Sequence, residues 1–432
     1  MRITKPILQI ALDFLEIQRA LKVAEEAVAG GADWLEAGTP LIKSEGLDAV
    51  RELRRLFPDR VIVADMKTAD AGRIEVEAAA KAGANIVTVL GTSSNSTISE
   101  CVEAASNYGA EIVADLLEVG DPVRRARELE SLGVHYIGVH TPIDLQMKGI
   151  YPFDLLREVS KAVSIPVAVA GGINSENVPL ALEAGAMIVI VGGAVTKSPD
   201  ARKATEEIKR AMETGHFIPT ELYKRVGFED VRKILEKVST ANISDAMHRG
   251  GAITGLIPIT PGVKLVGPAV TVRTYPGDWA KTVQAIDVAE EGDVIVIDAG
   301  GVPPAVWGEL ATHSCIQRGI SGVVIDGAIR DVAEIKRLGF PAFAKMISPA
   351  AYEPKGFGEI NVPITVCGVK VFPGDWVVGD EDGLVLLPKE RVVEIANRAM
   401  DVLERENRIR EEIERGSTLS KVAELLRWEK KG

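Results

Sequence analysis

Val61 Ile62 Val63 Ala64 Asp65 Met66 Lys67 Thr68 Ala69 Asp70 joins four apolar residues to three charges spaced Asp-x-Lys-x-x-Asp. The run predicts a buried strand that ends by presenting a carboxylate, an ammonium and a second carboxylate at its C-terminal tip. In a parallel α/β barrel the catalytic groups sit at such tips, and a lysine held between two carboxylates stays charged and fixed in place. A solvated turn after a strand is the plainer reading, and the surrounding sequence weighs against it.

Moving outward, strand patterns recur at Ile7–Asp13, Trp34–Glu36, Val61–Asp65, Ile86–Leu90, Ile112–Asp115, Tyr136–His140, Val167–Ala170 and Ile188–Val191. Their tips are 21 to 30 residues apart, the length of a strand, a helix and two short loops. Amphipathic stretches such as Ile17–Ala29 and Ile74–Ala82 fill the gaps, each ending before a glycine, Gly30 or Gly83. Eight strands alternating with helices predict an α/β fold with a closed (β/α)8 TIM barrel.

The tips gather chemistry: Asp13, Glu36, Asp65 with Lys67 and Asp70, Asp115, and His140. Titratable groups converging on one mouth point to an active site. Glu36 and Asp65 lie on adjacent strands, and two hard oxygen ligands with room for water suit Mg2+. For Glu36 alone a structural pairing with a lysine is the alternative, and for His140 a satisfied histidine at the barrel rim. The last two strands run into Gly171 Gly172 Ile173 Asn174 and Gly192 Gly193 Ala194. Glycines there let backbone N–H groups approach an anion, and the loops after strands seven and eight are the usual phosphate site of this fold.

Composition bounds the rest. The chain has 432 residues, enough for two domains, with 46% hydrophobic and 26% charged residues and a net charge of −12. That charge argues against a general nucleic-acid or membrane-surface binder, which needs a broad positive field. Cys101, Cys315 and Cys367 form no metal-like or redox-like pair and read as reduced thiols of a cytoplasmic protein. The N-terminus is too short and strand-like for a signal peptide, and no run of about 18 apolar residues spans a membrane.

Residues 1–212 resemble the orotidine-monophosphate-decarboxylase superfamily of barrels in Asp13, Glu36, Asp65-x-Lys67-x-x-Asp70, His140 and the two Gly pairs. Within it, Val87–Gly91, His140–Gln146 and Val191–Ala194 most resemble the 3-hexulose-6-phosphate synthases. The related keto-gulonate-phosphate decarboxylases usually carry an arginine where this chain has Gly193. The resemblance implies a Mg2+-dependent aldol reaction between formaldehyde and ribulose 5-phosphate, or its reversal, with the metal on Glu36 and Asp65. It makes His140 the leading proton-transfer group, with Lys67 a further cation and Asp13 a partner of Lys67 or of substrate hydroxyls. Asp70 would orient Lys67, reaching across a dimer interface as in relatives.

After Val195 the chain turns polar, and residues 213–224 read as a linker. The 21–30-residue period does not continue, so the second half is not another barrel. A strand at Asp293–Asp298, the Gly300 Gly301 turn, a helix bearing Glu309 and a strand leading to Arg330 Asp331 make one βαβ unit. Arg330 suits a substrate carboxylate; Asp331 could hold a divalent metal, with Glu309 acting directly or through water. A plain Arg330 salt bridge to Asp326 or Asp331 is the alternative. Ser239–Asp245, Gly292 Asp293, Gly300 Gly301, the Glu309 to Arg330 Asp331 spacing and Pro373–Gly383 together resemble the RraA-like family, over residues 225–415. That family includes class II 4-hydroxy-4-methyl-2-oxoglutarate aldolases and regulators of ribonuclease E. The resemblance implies Mg2+ or Mn2+, a keto acid on Arg330, aldol cleavage or oxaloacetate decarboxylation, and trimers; the opposing reading is a non-catalytic regulator. Residues 416–432 read as a helical tail. The charges of the helical run Lys389–Gly432, Glu404, Arg405, Glu406, Arg408, Arg410, Glu411, Glu412, Glu414 and Arg415, are expected mostly on solvated faces, with Leu419, Val422, Ala423, Leu425 and Leu426 as a packing stripe.

Overall fold

The structure is a computed structural model and describes residues 3–222 and 224–422. The chain forms two compact units, one comprising the chain up to Arg225 together with the segment from Glu404 onward, the other Val226–Leu403.

In the first unit β1 (Ile7–Leu12), β2 (Trp34–Ala37), β3 (Val61–Thr68), β4 (Ile86–Leu90), β5 (Glu111–Asp115), β6 (Tyr136–His140), β7 (Val167–Ala170) and β8 (Ile188–Val191) close into a barrel. Every pairing is parallel, and β1 closes on β8 through Ile7↔Ile188 to Ile10↔Val191. Helices cover the outside because each has a buried stripe, as in Ile17–Ala29, where Ala20, Leu21, Val23, Ala24 and Ala27 are buried. Gly83 ends the helix Gly72–Ala82 at a φ of 112°, a left-handed cap that costs glycine little.

β3 runs three residues beyond the expected Asp65. Its register against β4 jumps from Ala64↔Val87 to Thr68↔Val89, so Asp65, Met66 and Lys67 oppose Thr88 alone. Lys67 takes up the excess at a φ of 48°, a strained conformation for a side chain of its size.

The second unit is built on one curled sheet with a small separate hairpin. Its strands are β9 (Ala252–Ile253), β10 (Ile257–Pro258), β11 (Leu265–Arg273), β12 (Val294–Asp298), β13 (Gly322–Ile329), β14 (Ala342–Ile347), β15 (Glu359–Ile360), β16 (Ile364–Val366), β17 (Val369–Val371), β18 (Trp376–Asp380) and β19 (Gly383–Leu387). The sheet order is β10-β14-β13-β12-β11-β18-β19-β9, with β15 on β11 and β16-β17 a separate hairpin. β11 to β14 are parallel, and β12 and β13 are apolar on both faces because both are covered.

The tail corrects one expectation. Helix Val392–Glu414 enters the first unit at Glu404, where Glu404, Arg408 and Glu412 are buried rather than solvated. Val422 is buried but Leu419 is 58% exposed, so it is no part of a packing stripe; Ala423, Leu425 and Leu426 lie outside the described residues. Among the described residues no helix is long and apolar enough to cross a membrane. The three cysteines are free; burial pushes the Cys101 and Cys315 thiols up to about 12.

Candidate active site

The strand tips of the barrel open into a cavity of about 680 Å3. Asp13, Glu36, Asp65, Lys67, Asp115 and His140 line it, as do Gly171, Gly172, Gly192 and Gly193. The bulge in β3 is the local device: it delivers both Asp65 and Lys67 to the cavity wall from one strand end.

Lys67 Nζ lies 3.1 Å from Asp65 Oδ2 and 3.1 Å from Asp115 Oδ2. Burial works against its charge, but Asp65, Asp115 and Glu36 outweigh that and raise the ammonium above its ordinary pKa. Asp115, rather than Asp70, is thus the second carboxylate on Lys67. Asp70 is exposed, is absent from the cavity wall, and accepts from the Ala71 N–H at 2.7 Å. Asp115 Oδ2 also meets His140 Nδ1 at 3.2 Å, and its Oδ1 accepts from the Leu117 N–H at 2.9 Å. Burial opposes the charge of Asp115, yet His140 and Lys67 hold its carboxyl below the usual range.

On the other wall the carboxylates crowd one another. Glu36 is buried in the cavity wall and takes a hydrogen bond from Gln9 Nε2. Burial, then Asp65 and Asp13, push its carboxyl well above the ordinary value. Asp13 is exposed at the cavity mouth, yet the packing around its carboxyl and then Asp65 raise it, partly offset by Lys67, His140 and Lys197. Thr39 Oγ1 donates to Asp65 Oδ2 at 2.6 Å and fixes its rotation. Asp13, Glu36 and Asp65 face one cavity, and hard oxygen donors gathered in this way suit a divalent cation. Glu36 and Asp65 therefore fit Mg2+.

The sequence reading missed Gln9, Thr39 and Gly38 and left Asp115 without a role. Asp115 was legible as a charged strand tip; Gln9 and Thr39 carry no signal, since their value lies in reaching Glu36 and Asp65 across strands. Gly38 follows from space alone, because a Cβ there would overlap Asp13 Oδ1.

In the second unit Arg330 and Asp331 follow β13, with Arg330 Nε 3.6 Å from Asp331 Oδ2. Asp331 accepts from the Glu309 backbone N–H at 3.2 Å, and a Cβ at Gly308 would overlap it. The Glu309 carboxylate clusters instead with His313 and Glu334, all within 4.8 Å. Arg337 neutralises Glu334, pulling its carboxyl below the ordinary value.

Side chains delivered by strand tips into a single cavity mark the first unit as a (β/α)8 enzyme barrel. Through this half the chain belongs to the Orotidine 5'-phosphate decarboxylase / HUMPS family, whose model matches residues 6–208. The Aldolase/RraA model matches residues 240–386. The 3-hexulose-6-phosphate synthase of Mycobacterium gastri is 38% identical over 205 residues, 48% of this chain and 99% of that protein. That of Methylomonas aminofaciens is 42% identical over 201 residues, 46% of this chain and 96% of that protein. A solved structure of the RNA-processing inhibitor RraA from Thermus thermophilis is 31% identical, covers 35% of this chain and 93% of its own, and superposes with a TM-score of 0.33.

Proposed function

We propose that the barrel joins formaldehyde to ribulose 5-phosphate, giving 3-hexulose 6-phosphate, or runs the reverse cleavage. The observation that carries this reading is the Asp65, Lys67, Asp115 and His140 chain in one cavity, within a domain similar to 3-hexulose-6-phosphate synthases along nearly their whole length.

In the forward direction a C–H bond beside the substrate ketone breaks. The proton goes to His140, and the electron pair left on carbon forms the new bond to formaldehyde, whose oxygen takes up the proton that His140 removed. Asp115 is held ionised and can only accept, so His140 Nδ1 donates to it and Nε2 receives the substrate proton. Lys67 keeps its charge and steadies the negative charge growing on the ketone oxygen. Mg2+ held by Glu36 and Asp65 would add Lewis-acid stabilisation of the same charge. Backbone N–H groups of Gly171, Gly172, Gly192 and Gly193 would receive the phosphate. Gly193 and the synthase relatives disfavour decarboxylation of a sugar-acid phosphate.

The test is formaldehyde consumption by the purified chain with ribulose 5-phosphate and Mg2+. It should vanish without metal and in Lys67→Ala, and no consumption by the folded, Mg2+-loaded protein refutes the reading. For the second unit we infer a pyruvate-type lyase acting on a keto acid. Arg330, 45% exposed, offers its planar fork to the substrate carboxylate. Pyruvate release that is lost in Arg330→Ala supports this; its absence favours the regulator.

A further inference from the structure

The barrel's last loop is held by a side chain from the far end of the sequence. Arg408 is 2% exposed in the first unit, and its guanidinium has carboxylates on two sides. Nη1 donates to Glu26 Oε2 at 3.1 Å, and Nε to Glu412 Oε1 at 3.1 Å. Those bonds answer the buried charge, but Nη1 also donates to the backbone carbonyls of Ser198 at 3.0 Å and Pro199 at 3.3 Å. Arg415 adds a second strut, from Nη2 to Pro199 O at 3.2 Å and from Nη1 to Glu26 Oε1 at 3.3 Å.

The two carbonyls belong to the turn that ends the cavity's glycine segment. Thr196 N–H donates to Gly192 O at 3.0 Å, Lys197 N–H to Gly193 O at 3.1 Å and Ser198 N–H to Val195 O at 3.1 Å. A displacement at Ser198 is therefore transmitted through one hydrogen-bonded turn to Gly192 and Gly193 on the cavity wall. The same turn carries Lys197, whose charge is felt at Asp13. Glu26 ties the far side, accepting from the Ala201 N–H at 3.3 Å. Arg19 offers a natural comparison: it pairs with Glu412 at 3.1 Å and bonds Val422 O, but has no bond to Ser198 or Pro199.

We propose that Arg408 is a positioning residue for Gly192 and Gly193, so that recognition of the substrate phosphate in the barrel depends on the C-terminal helix of the chain. This rests on the sugar-phosphate reading of the cavity.

The experiment compares Arg408→Met, Arg408→Lys and Arg19→Met in the full chain. The readouts are the melting temperature, kcat and KM for ribulose 5-phosphate, and the inhibition constant of inorganic phosphate. Arg408→Met should raise KM and the phosphate constant about tenfold with kcat within about twofold, and Arg408→Lys should restore most of the loss. Arg19→Met should lower the melting temperature and leave both constants unchanged. Loss of stability in both methionine variants with unaltered KM and phosphate constant makes Arg408 merely structural and overturns the proposal. Where Arg408→Met does not fold, Arg408→Lys should show a smaller KM shift of the same kind, and its absence overturns the proposal. Should the wild type consume no formaldehyde, calorimetric binding of inorganic phosphate decides. Tenfold weaker binding in the Arg408 variant supports the positioning role even though the aldol reading has failed. Equal binding, or none by the wild type, overturns it.

Discussion

Asp115→Asn removes one charge from the centre of the barrel site while keeping the side chain's size. Asp115 takes three hydrogen bonds: from Lys67 Nζ at 3.1 Å, His140 Nδ1 at 3.2 Å and the Leu117 N–H at 2.9 Å. Bonds involving a charged group contribute about 1.5–3 kcal/mol each, and a neutral amide oxygen retains about 1 kcal/mol for one of them. With its NH2 at the Oδ2 position the amide also turns a donor toward both Lys67 and His140, which must themselves donate; flipped, it turns it toward the Leu117 N–H. Counting only the two bonds to the reacting groups Lys67 and His140, a net loss of about 2–5 kcal/mol of transition-state stabilisation follows, or about 30- to 5000-fold in kcat. Asp115 lies on β5, two strands from β7 and three from β8 in the barrel order, and contacts none of the four cavity glycines through its side chain in the bonds above, so KM for ribulose 5-phosphate should change by no more than about threefold. The assay is steady-state formaldehyde consumption with saturating Mg2+, beside circular dichroism to show the variant folded. A kcat within about threefold of wild type would refute the claim that Lys67 and His140 work through Asp115.

The crowding on the opposite wall makes metal binding proton-linked. The Glu36 carboxyl is raised, so below its folded pKa the metal-free protein holds a proton there that Mg2+ must displace. Calorimetry in two buffers of different ionisation enthalpy should show proton release that disappears in Glu36→Gln; buffer-independent heats in the wild type would contradict this. The sign reverses for Asp115 and Glu412, whose carboxyls are depressed. Their stabilisation is present above the unfolded values of about 3.9 and 4.3 and is lost as pH falls through the lower folded ones. Urea midpoints should fall steeply below about pH 4, and less steeply in Glu412→Gln. Gly38→Ala should lower kcat/KM at least about tenfold, because the new methyl group displaces the Asp13 carboxylate; unchanged kcat/KM would remove Asp13 from the site.

The sequence by itself determined the barrel. Four of its strands, β4, β6, β7 and β8, have the bounds read from apolar runs, because strands buried on both faces are written as continuous hydrophobic residues. Asp13, Glu36, Asp65, Lys67 and His140 were legible for the same reason: a charge ending such a run has only the barrel mouth to occupy. Tertiary structure alone decided which charges meet. The Asp-x-Lys-x-x-Asp spacing put Asp70 beside Lys67 on paper, but the bulge and the positive φ of Lys67 turn the ammonium across the barrel to Asp115, 48 residues along the chain. The reach of Gln9 to Glu36 and the burial of Arg408 between Glu26 and Glu412 are likewise invisible in one dimension. A charged helix reads as solvated until a neighbouring surface supplies the opposite charges and the backbone carbonyls that let a guanidinium leave water.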